Sequence, residues 1–212
     1  MLRTLFTFIL ALSATLPLVA EDLGPDTWDI RLSGPGSGIQ KTDEGIALFS
    51  RPHLVSKRGW YKGTTVSLEA KPSEAVKADD GRTYGDALCV VIRSTGKFRD
   101  KRSYEALDGI FARIDFVTGD LYLQTTKDGE TFENLAMKKG QGTLSHDEWH
   151  SVSIKDTDDT VTLTVGKVTV STKVEREGPE QKGVWSLYNR EPVGPGQKVL
   201  QVQKVVYTTP PR

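Results

Sequence analysis

The sequence contains one cysteine, Cys89, in 212 residues. An intramolecular disulfide framework is thereby excluded, and so is a zinc site built from several cysteines. Histidine is scarce too, at three residues, which leaves little for a His-rich metal centre. Net charge is missing: 28 Lys and Arg face 28 Asp and Glu. The basic excess of a nucleic-acid binder is therefore absent, as is any cue for an anionic membrane surface. No apolar run reaches the roughly 20 residues of a membrane-spanning helix. There is no phosphate loop, dinucleotide fingerprint or Gly-x-Ser-x-Gly elbow. The glycine-rich stretch from Gly34 to Gly38 precedes no helix, so it lacks the dipole that cradles phosphate.

Met1-Leu2-Arg3 opens the chain with one positive charge, and an apolar run from Leu5 to Leu12 follows. Leu16-Pro17-Leu18-Val19-Ala20 then places a helix breaker and a small residue ahead of Glu21-Asp22. Basic start, short apolar core and small residue at the cut are the order of a secretory signal peptide. Residues 1–20 are thus expected to be removed, leaving residues 21–212 as a single secreted or periplasmic domain. With no disulfide available, that domain must stand on its own core. A composition of 37% apolar and 26% charged residues at this length permits one.

The body of the chain has apolar period two far more often than 3.6. Val161-Thr-Leu163-Thr-Val165, then Gly166-Lys167, then Val168-Thr-Val170, reads as a β-hairpin with its valines and leucine toward the core. Further strands are expected at Thr64–Ala70, Ala87–Ser94, Gly109–Val117, Asp120–Thr126, Trp149–Lys155, Gly183–Asn189 and Val199–Tyr207. Polar turns such as Asp80-Gly81, Thr118-Gly119-Asp120 and Asp128-Gly129 separate them. Only Ser73–Lys77 and Tyr104–Leu107 offer a turn or two of helix. The pattern predicts an all-β, two-sheet antiparallel sandwich, with Cys89 as a small buried hydrophobe.

His146-Asp-Glu-Trp149-His-Ser-Val152-Ser-Ile154, the hairpin after it, and Gly183-Val-Trp185-Ser-Leu-Tyr188 resemble the concanavalin A-like, laminin G-type jelly rolls. Trp28-Asp-Ile30, Gly45-Ile46-Ala-Leu48 and Val66-Ser-Leu68 are similar to the opening of secreted bacterial sugar-acting domains, including the 3-keto-disaccharide hydrolase-like group. The resemblance implies a carbohydrate-binding sandwich with an oligo- or polysaccharide as partner, bound at a concave face or loop rim. It also implies two alternatives: a glycoside- or polysaccharide-cleaving enzyme, or a laminin G-like protein-binding module. The Glu-x-Asp-x-x-Glu strand of the related glucanases does not occur here, which argues against a retaining glycosidase of that type.

With Ile110, Ala112, Ile114 and Phe116 on the core face, Phe111, Arg113 and Asp115 share the other one. Arg113, Asp115, Arg93, Glu69 and Gln124 are expected to line a cleft there, where Arg–carboxylate forks suit vicinal hydroxyls or uronates. Trp60 and Trp185 are the candidate sugar-stacking rings, whereas Trp28 and Trp149 read as core. If the protein is catalytic, Asp115, Glu69 and Tyr122 are the acid/base candidates. His146 and His150 stand four apart, but Asp147 replaces the glutamate that zinc proteases need, and no metal site is expected there. No cofactor is expected; the one ion to consider is calcium, through Asp26, Asp120 and the Asp156-Thr-Asp-Asp159 turn.

Overall fold

The computed structural model describes residues 19–20, 27–31, 38–43, 45–49, 52–97, 108–126, 128, 131–140, 142–157, 159–174, 183–190 and 199–209. Alternating side chains and turn residues fold these into strands, and no helix occurs among them. In chain order the strands are β1 (Val19–Ala20), β2 (Trp28–Arg31), β3 (Gly38–Thr42), β4 (Gly45–Phe49), β5 (His53–Trp60) and β6 (Thr65–Lys71). Then come β7 (Val76–Lys77), β8 (Thr83–Tyr84), β9 (Ala87–Ser94), β10 (Ile110–Asp115), β11 (Leu121–Thr125) and β12 (Glu133–Lys138). The last five are β13 (His150–Asp156), β14 (Thr160–Val165), β15 (Val168–Lys173), β16 (Gly183–Asn189) and β17 (Val199–Thr208).

Two antiparallel sheets make the sandwich. The eight-stranded sheet runs β15-β14-β13-β6-β17-β4-β3, with β1 paired to β17; the seven-stranded sheet runs β12-β11-β10-β9-β16-β5-β2. Their facing sides enclose one apolar core, to which β6 gives Val66 and Leu68, β9 gives Leu88, Val90 and Ile92, and β14 gives Val161 and Leu163. At about 1.5–3 kcal/mol for each fully buried aliphatic side chain, this interior outweighs any surface contact as a source of stability. Trp28, Trp60, Trp185 and Tyr207 cluster inside it: Trp28 meets Trp185 edge-on at 4.9 Å, and Tyr207 stacks on Trp185 at 5.8 Å.

The sheets are also pinned by charge. Arg93 on β9 forms a two-pronged ion pair with Asp156 on β13, and the Trp60 indole N–H donates to the same carboxylate at 2.7 Å. Asp156 is 1% exposed, so salt screens the pair far less than a surface pair.

Several expectations need correction. Residues 53–60 form a full strand that alternation does not reveal, because Lys57, Arg58 and Gly59 interrupt it. β3 and β12 were likewise not anticipated. Ser73–Lys77 is extended rather than helical, its last two residues pairing with β8. Val168 is exposed, since β15 is a sheet edge and only Val170 reaches the core. Trp149 is half-buried rather than core, with the Lys71 ammonium 4.9 Å from its ring. Tyr104–Leu107 and residues 1–18 lie outside the described residues. No helix among the described residues is long and apolar enough to cross a membrane.

Candidate functional site on the outer face of the seven-stranded sheet

Strand alternation sends half the side chains of the seven-stranded sheet away from the core. Register lines them up in rows across the strands. One row reads Met137, Tyr122, Arg113, Cys89, Tyr188 and His53, from β12 through β11, β10, β9 and β16 to β5. The next reads Asn134, Gln124, Phe111, Val91, Ser186 and Val55. Cys89, Val91, Phe111 and Tyr188 are buried as a second apolar cluster, separate from the core, with Phe132 packed against it. This face therefore has a firm apolar floor.

Polar planar groups surround that floor. Gln124 donates from Nε2 to Asn134 Oδ1 at 2.8 Å and accepts at Oε1 from Arg190 Nη1 at 3.2 Å. The Arg190 guanidinium lies 4.2 Å from the centre of the Phe132 ring, which itself meets Phe111 edge-on at 5.0 Å. Arg113 lies over Tyr122 at 5.4 Å and faces Asp115 at 3.5 Å. Next to this network, His53 and Tyr188 are in ring contact at 4.1 Å, and His53 Nε2 is 3.3 Å from Ser186 Oγ.

Asp120 and Tyr122 are tied to each other on this face. The Gly140 backbone N–H, donating to Asp120 at 2.7 Å, keeps that carboxyl below its ordinary range, with the Tyr122 hydroxyl helping. Burial, and then the Asp120 carboxylate, push the Tyr122 phenol up. Neither group changes protonation near neutral pH. Asp115 accepts the backbone N–H groups of Val117 and Thr118 at 3.0 and 3.2 Å, so its carboxylate shapes the β10–β11 turn.

Similarity to known proteins is confined to structure. No family model and no curated protein matches the chain. The carbohydrate-binding module CBM66 of Bacillus subtilis superposes with a TM-score of 0.58 at 11% identity, covering 87% of this chain and 98% of that one. The β-glucanase of Bacillus licheniformis gives 0.58 at 12% identity, covering 92% and 100%. The Emp47p carbohydrate recognition domain gives 0.59 at 15%, covering 90% and 96%. The fold is the concanavalin A-like jelly roll. At these identities the likeness establishes architecture and nothing finer.

On this jelly roll the expected site residues part company. Arg113, Asp115, Tyr122 and Gln124 come together on the outer face. Arg93 does not join them: a bulge opposite Trp185 gives it a φ of 56° and aims its side chain at Asp156 instead. Glu69 lies on the other sheet, held by Gln203 and Lys204 at 2.6 and 3.1 Å, whose hydrogen bonds lower its pKa. Trp60 and Trp185, at 1% and 0% exposure, are core residues. Bringing either to the surface would forfeit about 3–5 kcal/mol, the scale of a buried aromatic lost to alanine. They are not sugar-stacking rings.

The described acids considered for calcium have partners within the chain. Asp156 is neutralised by Arg93, Asp159 accepts from the Thr160 hydroxyl at 2.9 Å, and Asp120 is committed to Gly140 and Tyr122. Asp26 and Asp158 lie outside the described residues. Among the described residues no three His, Cys, Asp or Glu side chains gather as a metal site. His150 instead contacts the Ser145 carbonyl at 2.8 Å.

Sequence reasoning missed Arg190, Phe132, Asn134, His53 and Ser186. Tyr188 entered only through the motif Gly183-Val-Trp185-Ser-Leu-Tyr188. Arg190 follows the last residue of β16, and two-residue alternation from Tyr188 would have put it on the outer face. Phe132 immediately precedes β12 and Asn134 lies within it, a strand whose single apolar cycle is too short to read.

Proposed function

We propose that the protein is an exported carbohydrate-binding domain whose ligand docks on the outer face of the seven-stranded sheet. The observation that carries this reading is the meeting of four planar polar side chains, Arg113, Gln124, Asn134 and Arg190, with the rings of Tyr122 and Phe132. Planar amides and guanidinia match the paired hydroxyls of a pyranose, and rings match its apolar face. The floor of Phe111, Val91 and Cys89 fixes their positions, which reduces the ordering cost of binding. The fixed protonation of Asp120 and Tyr122 suits recognition better than proton transfer. Fold kinship with carbohydrate-binding modules is compatible with the reading and is a weaker support than the site itself. The signal-like residues 1–20 support export; Val19 and Ala20, which pair with β17 as β1 in the full chain, leave with that leader.

The test expresses the chain from Met1, recovers it from the exported fraction, and measures retention on a panel of immobilised polysaccharides. The expected product begins near Glu21 by mass, and is retained selectively on at least one glycan. Arg113→Ala and Asn134→Ala should each weaken retention by about tenfold, the loss of one charge-assisted or bidentate contact. Their urea midpoints serve to check folding. Absence of retention on every glycan would overturn the proposal, as would sugar release by the protein without stable binding.

A further inference from the structure

The charges on the outer face do not balance locally. Of the two arginines beside Tyr122 and Gln124, Arg113 faces Asp115, whereas Arg190 has no carboxylate within ion-pair distance among the described residues. Three described acids of this sheet and its turns are already engaged. Asp115 takes Arg113 and two turn amides, Asp120 takes the Gly140 amide and the Tyr122 hydroxyl, and Asp128 takes the Thr131 amide and the Thr126 hydroxyl. Arg190 itself is half-buried. Its Nη1 donates to Gln124, and the flat of its guanidinium rests on Phe132.

A half-buried cation without a counter-ion is unfavourable unless something compensates it. Here a neutral amide and a ring quadrupole compensate it in part, and both also immobilise it. Among the described residues, Nε and Nη2 on the other edge of the fork meet no acceptor. An ordinary surface arginine spends rotamer entropy when it grips a ligand; this one is already ordered by Gln124, Asn134, Phe132 and Phe111.

We propose that Arg190 is the anion-reading residue of this face, and that the ligand is an anionic saccharide whose carboxylate or sulfate docks in the open fork. The inference rests on the sugar-binding reading above and narrows it to a substrate class. Gln124, clamped between Asn134 and Arg190, acts as the positioning residue that sets the fork's orientation. Two oxygens of one carboxylate or sulfate match the fork's spacing, while a neutral hydroxyl offers a single weaker acceptor.

The experiment compares affinities of the exported protein for a polyuronate, the same polymer after carboxyl reduction, a sulfated galactan and a neutral glucan. Arg190→Gln and Arg190→Lys are measured beside the parent, with thermal melts to confirm folding. The expected result is binding to the polyuronate or the sulfated polymer, with the responsive polymer naming the anion. Carboxyl reduction or Arg190→Gln should then cost tenfold or more, and Arg190→Lys should recover part of the loss. Equal binding to the polyuronate, its reduced form and the glucan would overturn the inference while leaving the sugar-binding reading intact. Binding to acidic polymers that survives Arg190→Gln would also overturn it. Silence across all four polymers contradicts the sugar-binding reading itself.

Discussion

Arg93 adopts a left-handed backbone conformation that costs a non-glycine residue about 1–3 kcal/mol, and the surrounding contacts must hold it there. Those contacts are Asp156 and, through it, the Trp60 indole. Nothing in Val90-Val91-Ile92-Arg93 announces the bulge, so simple alternation puts Arg93 on the wrong face. Arg113 and Gln124 sit in unbroken alternation and were placed correctly for that reason. The Arg93–Asp156 pair is structural. Removing one partner of a buried ion pair strands the other charge, at a cost of about 3–5 kcal/mol. Asp156→Asn is therefore expected to lower unfolding free energy by that amount in urea titration. Glycan affinity of the folded fraction should be unchanged, because the pair lies between the sheets. A variant of parental stability would show that Arg93 finds water or another partner instead.

Among the elements, those with clean periodicity were legible to within two residues. β9 and β16 have the bounds read from the sequence, and β14–β15 form the hairpin that the Gly166-Lys167 pair implies. β5 and β12 were not legible, since charged and glycine positions break the first and the second is a half-exposed edge. The loss matters for the proposed site, as β5 brings His53 to the outer face and β12 brings Asn134. One turn residue tests the register of the sheet that carries the site. Gly109, just before β10, has a φ of 112°, and a Cβ there would stand 2.7 Å from the Ile92 carbonyl oxygen on β9. Gly109→Ala should destabilise by more than about 1 kcal/mol, combining backbone strain with that clash. Unfolding midpoints would check it, and a neutral result would mean that the β9–β10 connection adapts.

At the scale of the whole molecule, the sandwich was legible because about a dozen alternating runs and polar turns admit few other architectures at this length. The site was legible in part. A face can be read from alternation, but the meeting of β10, β11, β12 and β16 on it depends on strand order, which no local pattern carries. Burial of Trp60 and Trp185 depends on the same order, and so reverses the role expected of them. The account's central claim is that this outer face, rather than the loop rim or the eight-stranded sheet, receives the ligand. Mapping amide and side-chain NMR shifts during titration with a retained glycan tests it most directly. The predicted shifts centre on Arg113, Tyr122, Gln124, Asn134 and Arg190, and leave Thr162, Thr164 and Ser171 on the opposite sheet unmoved. Shifts confined to the eight-stranded sheet, or to loops away from β10–β12 and β16, would contradict the claim.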